Sequence, residues 1–167
     1  MTKAYLESSA ATVKETIDNI AELVQSLSEE LIRWKPSADE WSVAQILSHL
    51  NEAIPYWVGE IKRIKQDASA TWGRGLADET RLAAVAEAHV NALPTAELLA
   101  QLKTVPATVE HLFQHLDEND LSIVAPSRNP KFNGQPLQFI IDHLIVEHVQ
   151  KHLGQIKRNV NKWNENK

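Results

Sequence analysis

The chain of 167 residues contains no cysteine and only five glycines, and it has no long run of uncharged apolar residues. The absence of cysteine excludes disulfides, thiolate metal sites, iron–sulfur clusters and a cysteine nucleophile. The apolar runs are far shorter than the roughly 20 residues that a membrane span requires, so we expect no membrane segment. The sequence also lacks a phosphate-binding glycine loop, a serine nucleophile elbow and a dinucleotide fingerprint. Any bound metal would therefore be held by histidine or by carboxylates.

The charge balance is acidic, with a formal net charge of −5 when the histidines are neutral. Because no cluster of lysine and arginine offsets this charge, we expect no nucleic-acid partner. A secretory signal peptide has a basic segment followed by an apolar one, and the first residues of this chain lack that pattern. We therefore expect a cytoplasmic protein without nucleic-acid or membrane partners.

Apolar residues recur with helical periodicity in four long segments, and no segment alternates with the period of a β-strand. The four apolar stripes cover residues 13–31, 46–64, 98–116 and 137–163. The second helix has an explicit start, because Ser42 and Gln45 form a capping-box pattern. The composition, with 43% hydrophobic and 23% charged residues, suits one domain over residues 1–167. These features predict an all-α four-helix bundle.

The lengths of the connections predict the order of the helices. Residues 33–41 form a short connection, so we expect the first and second helices to be antiparallel neighbours. Residues 67–94 are long enough to cross the bundle, which allows the second and third helices to run parallel. The predicted topology is therefore up-down-down-up, with a long crossover between helices two and three.

Local signals predict the ends of the shorter elements. Asp78 is placed to cap a short helix in the crossover, which we expect to carry Leu82, Val85 and Val90. Pro136 suits the first position of the fourth helix, because the backbone N–H that proline lacks has no helical partner there.

Two histidine pairs have the i, i+4 spacing that places both rings on one face of a helix. His111 and His115 lie away from the apolar stripe of the third helix, so we expect them to face solvent. His148 and His152 fall within the apolar stripe of the fourth helix, whereas His143 lies on its opposite side. Because buried imidazoles need partners, the pair at 148 and 152 is either hydrogen-bonded within the core or part of a metal site.

A third ligand would have to come from another helix, and His49 is the only histidine on the second. Its position borders the apolar stripe, which is compatible with a ring that points across a groove. Three neutral imidazoles would suit Zn, Ni, Fe or Mn and leave coordination positions open. Gln155 lies near the face of His152, where it either orients a ligand of the site or is an amide at the bundle edge.

The sequence resembles the DinB-like superfamily at these residues. The segment 41–50, WSVAQILSHL, and the segment 147–156, EHVQKHLGQI, are similar to its recurring Trp-Ser helix start, helix-two histidine and His-x-x-x-His-x-x-Gln-Ile motif. The resemblance implies an up-down-down-up bundle, often dimeric, in which His49, His148 and His152 bind a divalent metal. It also implies a relationship to transferases and isomerases that use bacillithiol, mycothiol or glutathione, beside members without known activity.

Three classes of function fit these observations. The first is a metal-dependent enzyme, either a transferase of a low-molecular-weight thiol or a hydrolase of a small-molecule substrate. The second is a metal-binding or stress-related protein without catalysis. The third is a helical interaction protein whose buried histidines are hydrogen-bonded internally. Because the chain has no cysteine, thiol chemistry would require the thiol to arrive with the substrate.

Overall fold

The computed structural model describes residues 1–166 and is all-α, as the sequence predicts. Within these residues, extended pairing is limited to one isolated parallel bridge between Trp72 and Ser127. None of the described helices combines the length and hydropathy needed to span a membrane. The α-helices are α1 (Thr2–Gln25), α2 (Glu29–Arg33), α3 (Val43–Gln66), α4 (Glu79–Ala84), α5 (Glu87–Asn91), α6 (Thr95–Leu102), α7 (Val105–Phe113), α8 (Glu118–Leu121), α9 (Leu137–Phe139) and α10 (Glu147–Glu165).

The first apolar stripe is divided between two helices, so the continuous helix expected over residues 13–31 is wrong. α1 ends at Gln25. Ser28 then starts α2, because its side chain accepts a hydrogen bond from the backbone N–H of Leu31 at 3.2 Å. A local cap therefore interrupts the helix although the apolar spacing continues. Most of the stripe stays in the core, including Val13, Ile17, Ile20, Val24 and Leu31.

The predicted start of α3 is confirmed in both of its hydrogen bonds. The Ser42 hydroxyl oxygen accepts from the backbone N–H of Gln45 at 3.1 Å, and Gln45 Oε1 accepts from the backbone N–H of Ser42 at 2.8 Å. The helix then continues through the exposed Pro55 to Gln66. This capping box sets where the helix begins and thereby places His49 in its second turn.

The crossover contains two short helices rather than the single one expected. Asp78 caps α4 as predicted, by accepting a hydrogen bond from the backbone N–H of Arg81 at 3.0 Å. Leu82 is exposed, however, and Val90 lies on the separate helix α5. Val85 and Val90 are both buried. One straight helix would direct residues five positions apart to faces about 140° apart, so burying both requires the chain to turn between them.

Two hydrogen bonds hold the end of α4 against the first half of α3. The side-chain amide of Gln45 donates to the carbonyl oxygen of Val85 at 2.8 Å, and the hydroxyl of Ser48 donates to that of Ala84 at 2.5 Å. All four residues are buried. The crossover is therefore fixed beside the segment of α3 that carries His49.

The third apolar stripe is also interrupted, since α6 ends at Leu102 and α7 begins at Val105. Pro106 lies in the first turn of α7, where its missing N–H has no helical partner to lose. The six apolar residues expected to face inward are all buried, namely Leu98, Leu102, Val105, Val109, Leu112 and Leu116.

The fourth helical stretch contains an unexpected π-helix. Pro136 was predicted at the first helical position. It is instead the N-cap that precedes α9, because its backbone is extended rather than helical. Residues Ile140–Val146 then form π-helix, and α10 follows without a break. The stretch reaches Glu165, close to the predicted end at Trp163.

The core lies among four helical stretches. α1 packs mainly against α6, α7, the π-helix and α10, and α3 packs against the same four elements. The contact of α3 with the first stretch is made through the short α2. The expectation that the first and second long helices are neighbours is therefore wrong for α1, because α2, which ends where the short connection begins, makes the contact with α3 instead. The up-down-down-up order stays a prediction.

Candidate metal centre

The structure brings His49 of α3 together with His148 and His152 of α10. One ring nitrogen from each residue lies within 4.8 Å of the others. The ring centroids are 5.1 Å apart for His49 and His148, and 4.8 Å apart for each of the other two pairs. The Nε2 atoms of His49 and His148 approach to 3.0 Å and share a hydrogen bond. The three residues chosen from the sequence thus form one cluster, although 99 positions separate His49 from His148.

The cluster lies where the core of the bundle meets the solvent. His49 is 3% exposed and His152 is 6% exposed, so both rings belong to the core. His148 is only partly buried. The sequence placed His49 at the border of its apolar stripe, and the structure buries it more deeply than that. Access from solvent is therefore on the side of His148.

Burial keeps all three imidazoles neutral near neutral pH. Desolvation, together with the nearby imidazoles of His152 and His148, lowers the pKa of His49 to about 2. Desolvation also lowers the pKa of His148 and of His152 to about 4. The neutral ring is the form that binds a metal ion, because a ring nitrogen must offer its lone pair.

Two carbonyl oxygens orient the rings of α10. The Nδ1 atom of His148 donates to the backbone carbonyl oxygen of Leu144 at 3.0 Å, and that of His152 donates to Gln155 Oε1 at 2.7 Å. A proton held on Nδ1 leaves the lone pair on Nε2. Of the two roles left open for Gln155, the structure therefore supports orientation of a site residue. In contrast, Nδ1 of His49 is buried without a hydrogen-bond partner among residues 1–166.

The π-helix supplies one of these orienting groups, since Leu144 belongs to it and α10 begins just before His148. Longer stretches of π-helix are rare, and π-bulges in α-helices occur frequently at functional sites. The sequence interpretation missed this element. A signal was present in the apolar residues at 137, 141, 145 and 149, because three consecutive steps of four exceed the 3.6 residues of an α-helical turn.

An indole ring and two arginines surround the cluster. The Trp41 ring centroid lies 4.9 Å from that of His49 and 6.2 Å from that of His152, nearly parallel to the latter. The Arg81 guanidinium lies over the Trp41 ring, 5.8 Å from its centroid. Arg74 forms a bidentate ion pair with Glu52. The sequence interpretation gave Trp41 no role beyond the Trp-Ser helix start, and the pattern of the crossover did not indicate which of its arginines would lie near the cluster.

The remaining histidines are exposed, as predicted for His111, His115 and His143. His115 Nδ1 bonds the backbone carbonyl oxygen of His111 at 2.8 Å, and His143 pairs with the exposed Glu147. A cavity of about 920 Å³ lies elsewhere, between the first turns of α1 and the end of α7, and it contains no histidine. We therefore locate the candidate chemistry at the cluster rather than in this cavity.

The donor set fits a divalent ion. Zn–N bonds of about 2.0–2.1 Å place two nitrogens of one ion roughly 3.0–3.4 Å apart, depending on the coordination geometry. The separation of 3.0 Å between Nε2 of His49 and Nε2 of His148 agrees with this range, and the 4.8 Å limit for the whole cluster means that the rings would close further around an ion. The cluster contains three uncharged nitrogens and no carboxylate. Three protein ligands are typical of catalytic sites, because a further position stays open for water or substrate.

Comparison with known proteins agrees with the resemblance seen in the sequence. The family model described as the DinB superfamily matches residues 12–156, which include all three histidines of the cluster. No curated protein and no solved structure matches the chain.

Proposed function

Because the chain belongs to the DinB superfamily and gathers three neutral imidazoles at one point, we propose that it is a divalent-metal-dependent transferase of low-molecular-weight thiols. The observation that carries this proposal is the geometry of His49, His148 and His152. Their ring nitrogens lie within 4.8 Å of one another. Carbonyl oxygens orient two of the rings before any metal binds.

The chemistry follows from the donor set. A divalent ion held by the three imidazoles would lower the pKa of a thiol or water molecule at an open coordination position and make it nucleophilic near neutral pH. Leu144 and Gln155 hold the rings, and Trp41 covers the cluster on one side. The chain has no cysteine. A sulfur nucleophile would therefore enter as a co-substrate.

Metal content tests the site itself. Untagged protein is stripped with a chelator, reloaded separately with Zn²⁺, Ni²⁺, Fe²⁺ or Mn²⁺, and analysed for bound metal. We expect one ion per chain in the wild type and in the matched control His143→Ala, whose ring is exposed. His148→Ala should lose the ion. Unchanged metal occupancy in His148→Ala would contradict the assignment of the ligands.

Transfer of a thiol tests the reaction. Metal-loaded protein is incubated with bacillithiol, mycothiol or glutathione and electrophilic acceptors, and the thioether product is measured. We expect product only with the loaded wild type and with His143→Ala. Hydrolysis of a substrate without thiol transfer would favour a metal-dependent hydrolase. The absence of both activities in a fully loaded sample would favour a metal-binding or stress-related protein without catalysis.

The assembly belongs to the same proposal. The family resemblance supports a homodimer built from one domain per chain. Light scattering of the purified protein tests this, and the mass of a monomer would contradict it. The cytoplasmic location stays a prediction from the sequence.

A further inference from the structure

Arg81 is a half-buried cation that has no acidic partner among residues 1–166. Its guanidinium donates to the backbone carbonyl oxygen of Leu76 at 3.0 Å. The two carboxylates near it, Glu52 and Asp78, are both bound to Arg74 instead. Within residues 1–166, no carboxylate oxygen lies within 4.0 Å of the Arg81 guanidinium. Its remaining N–H groups are therefore available to a ligand.

The geometry places this free cation beside the imidazole cluster. The guanidinium lies over the Trp41 ring at 5.8 Å, a separation typical of a cation–π contact. The same ring lies 4.9 Å from His49. Trp41 thus holds the Arg81 side chain next to the site. The hydrogen bonds from α3 to Ala84 and Val85 fix the helix that carries it.

Cations dominate the charges that act on the cluster. The ionic groups with the largest effect on the pKa of the three imidazoles are Arg81, Arg74 and Lys151, and all of them are cations. The cluster itself offers only neutral nitrogens. A divalent ion bound there would keep its full charge of two, which attracts an anionic ligand from solution. Burial and the positive charge of Arg74 also lower the pKa of Arg81, which is the direction expected for an uncompensated cation.

We propose that Arg81 binds the carboxylate or phosphate group of an anionic ligand whose other end reaches the three-histidine site. This inference rests on the proposed function, because the second anchor of the ligand is the bound metal. The planar guanidinium matches the two oxygens of such a group. Arg81 is accordingly the residue that selects anionic over neutral substrates.

The experiment compares two thiols that differ only in charge. Isothermal titration measures the binding of 3-mercaptopropionate and of 3-mercaptopropionamide to the full-length Zn²⁺-loaded protein. We expect the wild type to bind the acid more tightly by about tenfold to a hundredfold, the range of one charge-assisted hydrogen bond. Arg81→Gln should reduce this ratio to near one, and Arg81→Lys should keep part of it. Acetate and inorganic phosphate, added as competitors, distinguish a carboxylate site from a phosphate site.

The matched control is Arg158→Gln, which removes the same charge from an exposed position of α10. It should leave the ratio unchanged. Equal binding of acid and amide by the wild type would overturn the role of Arg81, and so would a ratio that survives in Arg81→Gln. Either result could occur with Zn²⁺ still bound. Failure to bind Zn²⁺ would instead overturn the proposed function, so the two failures are distinguishable.

Discussion

Each imidazole of α10 at the cluster has a carbonyl oxygen as the partner of its Nδ1 atom. The sequence could predict that His148 and His152 share a buried face, because that follows from their spacing. It left the role of Gln155 open, since a residue three positions from His152 can reach either the ring or the solvent. His49 was selected chiefly by resemblance, because helical phase does not determine which residue of a distant helix faces the pair.

The orienting amide of Gln155 provides a test at the residue scale. Replacing Gln155 with Leu removes the acceptor of the His152 N–H group and leaves the ring free to rotate or change tautomer. We expect Zn²⁺ affinity to fall by about 10-fold to 100-fold, as for other groups that orient metal ligands. Gln155→Glu should retain most of the affinity, and the exposed Gln150→Leu should retain all of it. Unchanged affinity in Gln155→Leu, measured by competition with a chelator, would contradict this role.

The lowered pKa of His152 predicts how the metal-free protein responds to acid. The folded chain binds this proton with a pKa of about 4, whereas the ordinary value is 6.5. The unfolded state therefore takes up the proton first on acidification, and stability falls as the pH decreases from about 6.5 towards 4. The expected slope for this one group is about 1.4 kcal/mol per pH unit.

Urea unfolding of the metal-free protein across this pH interval measures the effect. His152→Asn should lose stability less steeply than the wild type, because the titrating group is gone. The exposed His143→Asn should follow the wild type. Parallel curves for His152→Asn and the wild type would show that this imidazole is not buried in its neutral form.

At the scale of the elements, local capping decided where the helices end, whereas the apolar stripes decided which faces are buried. The first and third stripes were read as continuous, yet Ser28 caps a new helix within the first, and α7 begins within the third with Pro106 in its first turn. Most of the apolar residues remained in the core after these breaks. Periodicity therefore predicted the buried faces well and the helix ends poorly, because a side-chain cap or a proline can interrupt a helix without changing the pattern.

The capping box of α3 gives a prediction at this scale. Ser42→Ala removes the acceptor for the N–H group of Gln45, and we expect the free energy of unfolding to fall by about 1 kcal/mol. Chemical denaturation measures the change. Ser8→Ala, an exposed substitution within α1, is the control and should be nearly neutral. A neutral result for Ser42→Ala would mean that tertiary packing alone determines where α3 begins.

At the scale of the whole molecule, the cluster exists because α3 packs against α10 across the bundle. The sequence could predict that four apolar stripes form a helical bundle, but the neighbours of each stripe depend on how the connections fold. The short connection led to a wrong neighbour for α1, because α2 makes the contact with α3. The position of Arg81 was beyond prediction for a related reason, since the sequence of the short helix α4 does not determine how it packs against α3.

Metal binding between two packed helices should stabilise the whole fold. Unfolding separates α3 from α10, so an ion held by both favours the folded state. At a free Zn²⁺ concentration of 100 times the Kd, the expected gain is about 2.7 kcal/mol. Thermal denaturation should show a higher Tm with Zn²⁺ for the wild type and no such shift for His49→Ala. A wild-type Tm that does not change when Zn²⁺ is added would argue against binding across the two helices.

The contact between His49 and His148 has one more consequence, for the way an ion enters. His148 keeps its proton on Nδ1, so the shared hydrogen bond requires His49 to carry its proton on Nε2. That nitrogen is the one an ion between the two rings needs. Binding of an ion between the two rings would therefore require a tautomer exchange at His49, which moves the proton to the opposite side of its ring. In the metal-free cluster, one imidazole proton occupies the ring nitrogen that the ion would need.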